Sequence, residues 1–449
     1  MTKQSKAVEG IATGFSAERF DAIVVGAGPA GNAAAYTLAK AGLSVLQLER
    51  GEYPGSKNMQ GAILYSDALE KIIPDFRDSA PLERHIVEQR LWLLDENTSL
   101  TSINYRSEEF NKQPYNRYTI IRARFDKWFS QKVQEAGALL ICETTVTALL
   151  LDAAGRVIGV RTERENGDIY ADVVVLADGV NSLVPTNAGL RPKIRACDMA
   201  LAVKEVLFLP KETIEQRFNI SGSEGSVTEI GGGITHGMLG TAFIYTNKDS
   251  LAIGIGCILD EMKKQRITPP ELLAGLKNHP VVKPLIAGGE MKEYSAHMIP
   301  EGGYKTLPQL YGDGWVIVGD SAGFINSVHR EGSNLAMTTG RMAAETIATL
   351  KAAGKPMSAA NLAAYKKSLD ASFVMADMKK YQDVPNLLTN SPQYLGSYPA
   401  FISGAIRDML IVDGQSKTQK QHRIYQDLRQ RRSLWGLLGD AYKFWRTFK

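Results

Sequence analysis

The stretch FDAIVVGAGPAGNAAAYTLAKAGLSVLQLER, residues 20–50, decides the fold of this chain. It opens with a β-branched apolar run, FDAIVVG, which is typical of a buried parallel strand. An Ala-rich segment follows, which begins at the third glycine of GAGPAG and stops at Gly42, and its composition favours a helix. LSVLQLE then has the pattern of a second strand. Strand, turn, helix and strand within about thirty residues match the size of a βαβ unit.

The turn GAGPAG places Gly26, Gly28 and Gly31 in the G-x-G-x-x-G pattern. Side chains at the first two positions would block the tight turn and the approach of the backbone to a pyrophosphate, and the third glycine lets the helix pack on the strand. The helix start presents unpaired N–H groups and a positive dipole end to phosphates. Glu49 ends the second strand, where a carboxylate accepts hydrogen bonds from ribose hydroxyls and repels a 2′-phosphate. The pattern therefore predicts a dinucleotide site rather than a merely structural glycine turn.

Later segments continue the same architecture and add a second one. Residues 122–138 have apolar side chains at helical spacing, and the runs up to VVVLADG predict hairpin strands followed by a return to the parallel sheet. GWVIVGD, residues 314–320, predicts a core strand with a helix after it. Residues 198–300 combine longer strands with Gly-rich turns, which indicates a separate antiparallel sheet domain.

The glycine fingerprint alone does not separate FAD from NAD. Three segments resemble the glutathione-reductase-like FAD superfamily: IIRARFDKWF is similar to its R-x-x-F-D-x-x-L helix, LADGVNS to its D-G motif, and VGDSAGFINSVHREGSNLA to its second FAD-contacting G-D motif. The resemblance implies FAD as the cofactor, with Asp320 at its ribityl or pyrophosphate region and Arg122 beside it. For Arg122, a surface ion pair with Asp126 one helical turn on is the alternative.

The helix that begins near Gly332 adds a physical point, because a helix N-terminus aimed at the flavin N1/O2 edge would stabilise the negative charge of reduced flavin. No second G-x-G-x-x-G follows a strand downstream, so a built-in NAD(P)H site is not expected. The flavin itself carries the chemistry, and no catalytic side chain is assigned. The residues expected to bind FAD are Gly26, Gly28, Pro29, Ala30, Gly31, Glu49, Arg50, Asn58, Gly61, Arg122, Val146, Asp178, Gly179, Gly319, Asp320, Gly332 and Asn334.

A closer resemblance is to the FixC proteins, the bacterial relatives of electron-transfer-flavoprotein:quinone oxidoreductase. It rests on SKNMQGAILY, DGVNS, LGTAFIYTNKDSLAIGIGCIL, HPVVKPLIAGGEMKEYSAHMIPEGG and GDSAGF, and it runs from about residue 19 to at least residue 410. It implies a membrane-peripheral flavoprotein that takes electrons from the two subunits of an electron transfer flavoprotein, FixAB, and delivers them to quinone with a small ferredoxin-like partner, FixX.

The same resemblance implies a quinone pocket between the flavin and the sheet domain. The residues expected there are Gly240, Thr241, Tyr245, Gly302 and Gly303. Each glycine could equally be a turn in an ordinary antiparallel sheet. His236 and His329 suggest proton delivery for quinol formation, although an isolated histidine is more often a structural hydrogen-bonding group.

The cysteines bear on the iron–sulfur question. Cys142, Cys197 and Cys257 lie more than fifty residues apart, and no CxxC or ferredoxin-type spacing is present. Longer relatives end in a ferredoxin-like segment with four cysteine ligands, which this chain lacks. We therefore expect no metal in this polypeptide, buried thiols in a reducing cytosol, and an iron–sulfur cluster in a separate subunit.

Charge and hydropathy indicate where in the cell the protein is expected. The net charge of +4 is uneven, since residues 416–449 carry nine Lys or Arg against Asp427 and Asp440, and this gives no reason to expect nucleic acid. There is no signal-peptide pattern and no apolar run of about 18 residues. We expect a cytoplasmic protein, peripheral on the inner face of the cell membrane.

The tail predicts a basic amphipathic helix over 434–448, which suits an anionic lipid surface, a partner, or plain packing on the domain. Its apolar stripe is Leu434, Leu438, Ala441, Trp445 and Phe448, with Trp435, Tyr442 and Phe444 nearby.

The predicted fold is α/β, a Rossmann-type FAD-binding domain with an inserted antiparallel-sheet quinone or substrate domain and a helical C-terminal region. The predicted boundaries are an N-terminal extension at 1–19, a discontinuous FAD-binding domain at 20–197 and 305–355, the sheet domain at 198–304, and the helical region at 356–449. Two other functions fit the same features: an FAD-dependent reductase or hydroxylase of a hydrophobic small molecule, such as a geranylgeranyl reductase, and a flavin-loaded docking or assembly subunit without turnover.

Overall fold

The computed structural model describes residues 19–57, 62–95 and 99–449, which form two compact units. The first unit comprises the described parts of Met1–Pro81, Ile121–Lys193 and Gly303–Lys379, and the second comprises those of Leu82–Ile120, Ile194–Gly302 and Lys380–Lys449. Strands and helices are numbered along the chain.

The first unit is built on a parallel sheet. The strands of this sheet are β1 (Arg19–Val25), β2 (Val45–Leu48), β7 (Leu139–Ile141), β8 (Val146–Leu151), β9 (Val157–Thr162), β10 (Asp168–Leu176), β16 (Tyr311–Gly312) and β17 (Trp315–Ile317). The first unit also contains the short strand β3 (Ile63–Tyr65), which is not part of this sheet. Its helices are α1 (Pro29–Lys40), α2 (Ser66–Glu70), α3 (Arg122–Glu135), α4 (Leu183–Asn187), α9 (Ser333–Ala352) and α10 (Ala359–Asp370), and α11 (Phe373–Lys380) runs to its edge. The order β17-β10-β1-β2-β7 is parallel throughout, while β9 pairs antiparallel with β8 and β10.

This sheet forms because the β1 and β10 runs are apolar on both faces, as strands covered by helices on each side must be. The polypeptide after β1 crosses to β2 on one side, and β10 lies on the other side. The carboxyl end of β1 is therefore a point where the strand order reverses, and open α/β sheets bind ligands at such a point.

The second unit holds a larger, mainly antiparallel sheet. Its strands are β4 (Leu82–Leu94), β5 (Leu100–Arg106), β6 (Arg117–Ile120), β11 (Met199–Phe208), β12 (Glu224–Gly232), β13 (Gly240–Thr246), β14 (Ser250–Ile258) and β15 (Glu290–Pro300). Its helices are α5 (Lys211–Phe218), α6 (Leu259–Gln265), α7 (Pro269–Asn278), α8 (Lys283–Ile286), α12 (Val384–Thr389), α13 (Ser397–Leu410), α14 (Lys417–Arg431) and α15 (Leu434–Phe448). The strand order is β15-β11-β14-β13-β12-β4, and β5 and β6 both pair with β4.

The α/β class and the helical C-terminal region are confirmed, but the second sheet differs from the predicted insertion in one segment. Residues 82–120 were expected within the FAD-binding domain, and their strands instead extend the second sheet, where β4 pairs with β12 in parallel. The charges of β4 obscured this strand in the sequence. They are paired in the structure. Arg90 donates to Glu88 at 2.9 and 3.0 Å. Arg84 donates to the Asn247 carbonyl at 2.6 Å and to Glu215 at 3.5 Å.

Helices α1 and α9 pack closely because Gly340 in α9 has no side chain. A Cβ at Gly340 would lie less than 3.0 Å from the carbonyl oxygen of Ala30. We expect Gly340→Ala to lower the free energy of unfolding by about 1–3 kcal/mol through overpacking, although Gly→Ala inside a helix ordinarily stabilises by up to about 1 kcal/mol.

Gly404 in α13 is the matched control, since a Cβ there meets no atom within 4 Å. Urea unfolding of both variants should show a lower midpoint for Gly340→Ala and an equal or higher one for Gly404→Ala. Equal midpoints for the two would show that the α1–α9 contact does not depend on this glycine.

Candidate functional site

The turn after β1 has the geometry that its glycines predict. Gly26 has φ +104° and donates its N–H to the Leu48 carbonyl at 2.8 Å. A Cβ at Gly26 would lie less than 3.0 Å from the Ala177 carbonyl oxygen, and one at Gly31 would lie equally close to the Gly26 carbonyl oxygen. Both positions therefore exclude any side chain.

The N-terminus of α1 is open toward this turn. Gly28 is its N-cap, Pro29 is its first residue, no side chain caps it, and its first turn holds no acidic residue. Pro29 has no N–H to leave unpaired, and Ala30 and Gly31 follow it with free helix-start donors. An anion such as a diphosphate is the group that such a terminus binds.

Glu49 is held beside the turn by two backbone donors. Its Oε2 accepts the Ala27 N–H at 2.9 Å, and its Oε1 accepts the Gly51 N–H at 2.7 Å. Each carboxylate oxygen keeps a further acceptor site, which is what a pair of ribose hydroxyls needs. Of the neighbouring predicted residues, Arg50 is exposed and Val146 is buried at the start of β8.

Two buried amides support the turn from below, and sequence reasoning missed both. Asn32 donates to the Ala27 carbonyl at 3.1 Å and to the Asp126 carbonyl at 3.3 Å. Gln47 donates to the Gly26 carbonyl at 3.1 Å and to Asn32 Oδ1 at 2.9 Å. The available signal was a polar residue inside an otherwise apolar helix or strand, because a fully buried polar side chain needs a hydrogen-bonding role.

Arg122 forms the ion pair with Asp126 that was its alternative role, but the pair is buried and not on the surface. Its guanidinium pairs with Asp126 through two hydrogen bonds of 2.8 and 2.7 Å, as the helical spacing predicts. The pair is buried rather than on the surface, with Asp126 fully enclosed. Burial disfavours the charged form, yet Asp126 and then Asp320 raise the pKa of Arg122 above its ordinary value. Arg122 thus also lies within electrostatic reach of Asp320, and its contact with FAD stays a prediction.

The D-G and G-D loops meet at the carboxyl ends of neighbouring parallel strands, β10 and β17. Asp178 accepts the Val184 N–H at 3.0 Å and the hydroxyl of Ser321. Ser182 donates to the Ser321 carbonyl at 2.9 Å, and the guanidinium of Arg191 donates to the same carbonyl. The structure therefore brings together the predicted residues of both motifs. Ser182, Arg191 and Ser321 are further members of this cluster that the motifs alone did not single out.

The carboxyl group of Asp320 is unusually easy to protonate. Burial raises its pKa to about 6, and the positive charges of Arg122 and Arg191 act against that rise. Gly319, the preceding residue, is held by a hydrogen bond from its N–H to Thr339 Oγ1 at 3.0 Å. Gly179, after Asp178, has φ +77°. Hydrogen bonding therefore fixes the backbone of the loop after β17, while burial disfavours the charged form of the Asp320 side chain in that loop.

The N-terminus of α9 has no side-chain cap, and the Glu331 carboxylate just before it forms a hydrogen bond with the Asn334 side chain. Gly332 is the N-cap of this helix, and no acidic residue lies in its first turn. The Asn334 Oδ1 atom is buried without a hydrogen-bond partner among the described residues. Ser333 donates to the Ile63 carbonyl at 3.2 Å, which places the helix start beside β3.

These features fit FAD. Two uncapped helix termini, the Glu49 carboxylate with acceptor sites to spare and an unpartnered amide oxygen form a set of polar groups that a dinucleotide with a polar ring edge would complete. Asn58 and Gly61, also predicted to bind FAD, lie outside the described residues. No helix among the described residues is long and apolar enough to cross a membrane, and no group of metal-ligating side chains is found among them.

The predicted quinone residues are only partly brought together. Thr241 and Tyr245 lie on one face of β13, with Gly240 at its start. Gly302 follows β15, three strands from β13 in the sheet order, which corresponds to about 14 Å at the usual strand spacing. A Cβ at Gly240 would clash with Cys257, and Gly303 has φ +64°, so sheet packing and a turn already account for both glycines.

The two histidines show backbone roles. His236 ends a short helical turn at φ +52°, and its carbonyl accepts the Gln265 amide at 3.2 Å. The His329 N–H donates to Asn326 Oδ1 at 3.3 Å. Proton delivery by either side chain stays a prediction.

The raised pKa of Asp320 predicts a pH-dependent stability of the FAD-free protein. Because the folded protein holds this proton more tightly than the unfolded chain, the contribution of Asp320 is most favourable below about pH 4 and is lost as the pH rises through about 6. Asp320→Asn should therefore raise the free energy of unfolding above about pH 7, by at most about 3 kcal/mol, and should flatten its pH slope.

Urea unfolding of the FAD-free protein between about pH 5 and pH 7.5 measures this effect. The exposed carboxylate of Asp370 provides the control, and Asp370→Asn should keep the wild-type slope. A wild-type slope in Asp320→Asn would exclude Asp320 as its source.

Comparison with known protein families agrees with this geometry. Residues 19–355 match the family model of an FAD binding domain, and residues 384–449 match that of the ETF-QO/FixC family C-terminal domain. Among solved structures, the chain resembles a geranylgeranyl bacteriochlorophyll reductase-like protein of Thermoplasma acidophilum, with a TM-score of 0.70, 20% identity, and coverage of 92% of this chain and 96% of that one. It also resembles the flavin-dependent brominase Bmp2, with a TM-score of 0.62, 17% identity, and coverage of 92% and 100%. At these identities the likeness shows the fold alone.

Sequence relatives are much closer. The chain is 59% identical to Protein FixC of Bradyrhizobium diazoefficiens, over 96% of this chain and 99% of the relative. It is 58% identical to Protein FixC of Azotobacter vinelandii, over 96% and 99%. It is 40% identical to the "Probable electron transfer flavoprotein-quinone oxidoreductase YdiS" of Escherichia coli, over 89% and 92%. The chain therefore belongs to the FixC family, FAD-dependent oxidoreductases of the electron-transfer-flavoprotein:quinone oxidoreductase type.

Proposed function

We propose that this chain accepts electrons from the two subunits of a FixAB-like electron transfer flavoprotein and passes them to quinone together with a small ferredoxin-like, FixX-like partner. The observation that carries the proposal is the uncapped N-terminus of α9 with Asn334 beside it. A fixed positive dipole end at the flavin ring favours the reduced, negatively charged cofactor. Residues that retain electrons on a flavin suit a relay between two partners.

FAD, when bound, supplies the electron transfer itself. The chain's own residues would bind and orient it: the α1 terminus at the diphosphate, Glu49 at the adenosine ribose, and the Asp178 and Asp320 loops along the middle of the cofactor. The Glu49 and Asp178 carboxylates and the Gly319 N–H are fixed by hydrogen bonds within the first unit, so the site needs little rearrangement on binding.

The second sheet offers a surface that suits a quinone ring. Phe243 lies over Gly254, since a Cβ at that glycine would lie less than 3.0 Å from its ring, and Phe243 stacks on Tyr245 with centroids 4.6 Å apart. Thr241 lies on the same face of β13. Aromatic rings stacked in this way favour a planar, apolar partner.

The thiols support an iron–sulfur cluster carried by another subunit. Burial, and then Glu49, raises the pKa of Cys142 to about 11, and burial with Glu261 raises the pKa of Cys257 to about 12. Cluster ligands are thiolates, and the carboxylates Glu49 and Glu261 disfavour a thiolate at these two positions. The two thiols also belong to different units of the chain.

A membrane surface is supported by two exposed apolar stripes in the second unit. On α15 the stripe is formed by Trp435, Leu438, Tyr442 and Trp445, at helical spacing, and Leu434 and Phe444 on the same helix are also exposed. On α13 and the loop after it they are Ile402, Ile406, Leu410, Ile411 and Val412. The stripe on α15 differs from the predicted one at Phe448, which is half-buried and packs against Tyr381, and it includes Trp435 and Tyr442. Lys443, Arg446 and Lys449 on the same helix complement an anionic headgroup layer.

The electron-transfer proposal predicts the behaviour of the purified chain. Alone, it should carry FAD without iron, and iron with acid-labile sulfide should appear only when a small cysteine-rich partner is co-expressed. Reduced electron transfer flavoprotein should reduce the bound flavin, measured by its absorbance, and added quinone should reoxidise it in the reconstituted complex.

NADPH serves as the control donor. Rapid flavin reduction by NADPH would favour the reductase or hydroxylase alternative. Stoichiometric iron in the lone chain would contradict the separate-subunit cluster, and a flavin whose redox state never changes in the complex would favour the docking-subunit alternative.

The membrane proposal predicts that two exposed tryptophans anchor the protein. Trp435→Ser with Trp445→Ser should reduce flotation with anionic liposomes while the FAD spectrum stays unchanged, because neither ring is needed to hold α15 in place. Flotation of the wild type should also fall with added salt, since screening limits the attraction to about 8 Å at physiological ionic strength.

Leu151→Ser is the matched control, since Leu151 on β8 is an apolar residue that is 59% exposed, close to the 56% of Trp445. It should float like the wild type. Equal flotation of the double variant would remove α15 from membrane contact, and loss of the partner complex without lipid would assign the stripe to a protein partner.

A further inference from the structure

Arg191 is a buried cation that no motif predicted. It follows α4, and its side chain is only 5% exposed. The backbone before it is fixed, since the Arg191 N–H lies 3.3 Å from the Pro185 carbonyl that also accepts the Leu190 N–H. A guanidinium is costly to bury, so its position calls for compensating groups nearby.

Its hydrogen bond connects the two cofactor loops. The Arg191 Nη1 group donates to the Ser321 carbonyl, which also accepts the Ser182 hydroxyl at 2.9 Å, and the Ser321 hydroxyl in turn donates to Asp178. A Cβ at Gly323 would lie 3.4 Å from Arg191 Nη2, so the guanidinium lies directly against the backbone of residues 319–323.

The charges around it explain why a cation is needed. Asp178 and Asp320 both act on Arg191 electrostatically, and Arg191 lowers the pKa that burial raises in each of them. The other guanidinium near Asp320, that of Arg122, is bound bidentately by Asp126. Three carboxylates and two guanidinium groups leave this cluster negative before any ligand enters, and a diphosphate adds further negative charge.

The hydrogen bond alone does not account for Arg191. The Ser321 carbonyl already has a donor in Ser182, so an uncharged side chain at position 191 would leave it satisfied. An uncharged side chain could not replace the positive charge of Arg191, which acts on both Asp178 and Asp320. A like-charge cluster beside an anion site weakens binding unless a buried cation offsets it.

We propose that Arg191 is a positioning residue for FAD, which offsets Asp178 and Asp320 so that the anionic diphosphate binds beside the 319–323 loop at neutral pH. The proposal rests on the FAD site and not on the electron donor or acceptor. It can therefore fail while the electron-transfer function stands, and the reverse also holds.

The test is FAD titration of the FAD-free full-length chain, followed by flavin fluorescence, for Arg191→Met and Arg191→Lys. Arg191→Met keeps an unbranched, flexible side chain but loses the charge, and its FAD affinity should fall by about tenfold or more at about pH 8. That loss should shrink as the pH falls through about 6, because protonated carboxylates no longer repel the diphosphate. Arg191→Lys keeps the charge, so it should lose less affinity and retain the wild-type pH profile.

Arg161→Met is the control, since Arg161 forms an exposed ion pair with Asp168 on the β9–β10 hairpin, and it should bind FAD as the wild type does. A merely structural role would lower affinity equally at every pH, and that result in Arg191→Met would overturn the proposal. Unchanged affinity in Arg191→Met would overturn it as well. Should Arg191→Met fail to fold, a lysine variant with a steeper pH profile than the wild type would contradict the proposal by itself.

Discussion

The backbone at the carboxyl end of β1 comes so close to its neighbours that no side chain fits, and the rest of the first unit depends on this contact. Gly26 lies against the carbonyl of Ala177, and Gly31 lies against the carbonyl of Gly26. The close turn allows α1 to start where β1, β2 and β10 meet, with its N-terminus open. Helix α9 can then pack on α1, because Gly319 and Gly340 both leave room for Ala30.

This geometry places two buried carboxylates beside a turn that binds an anion, and neighbouring arginines offset their charge. A turn of backbone donors attracts an anion, yet Asp178 and Asp320 lie at the ends of the adjacent strands. Burial raises the pKa of both groups, so the folded chain bears a cost for keeping them charged at neutral pH. Arg122, committed to Asp126, and Arg191 reduce that cost. The binding loops are thus less stable than they need be, as is common where a protein preorganises polar groups for a ligand.

The sequence predicted what depends on neighbouring residues and missed what depends on distant ones. The β1–turn–α1–β2 unit and the tail helix over 434–448 were predicted because their patterns are local and strong. The membership of β4 in the second sheet was missed, since the partners of its buried Arg84, Glu215 and the Asn247 carbonyl, lie more than a hundred positions away. Asn32, Gln47 and Arg191 were missed for the same reason: each is a polar residue whose partner lies on another strand or loop. Motif recognition identified the loops that could hold FAD, and only the fold showed which side chains connect them.

The C-terminal helix α15 has an inner face whose residues hold it on the second unit and an outer face whose exposed residues have no such role. On its inner face, Asp440 accepts hydrogen bonds from Tyr398 at 2.6 Å and from Arg432 at 2.8 and 2.9 Å. Although burial disfavours its charge, these donors hold the pKa of Asp440 below its ordinary value. The helix is therefore anchored by one buried carboxylate and by Phe448, which packs against Tyr381. The outer stripe, with Trp435 84% exposed, adds nothing to that anchor. A contiguous set of exposed aromatic side chains on a helix already held in place is best explained by contact with something outside the chain.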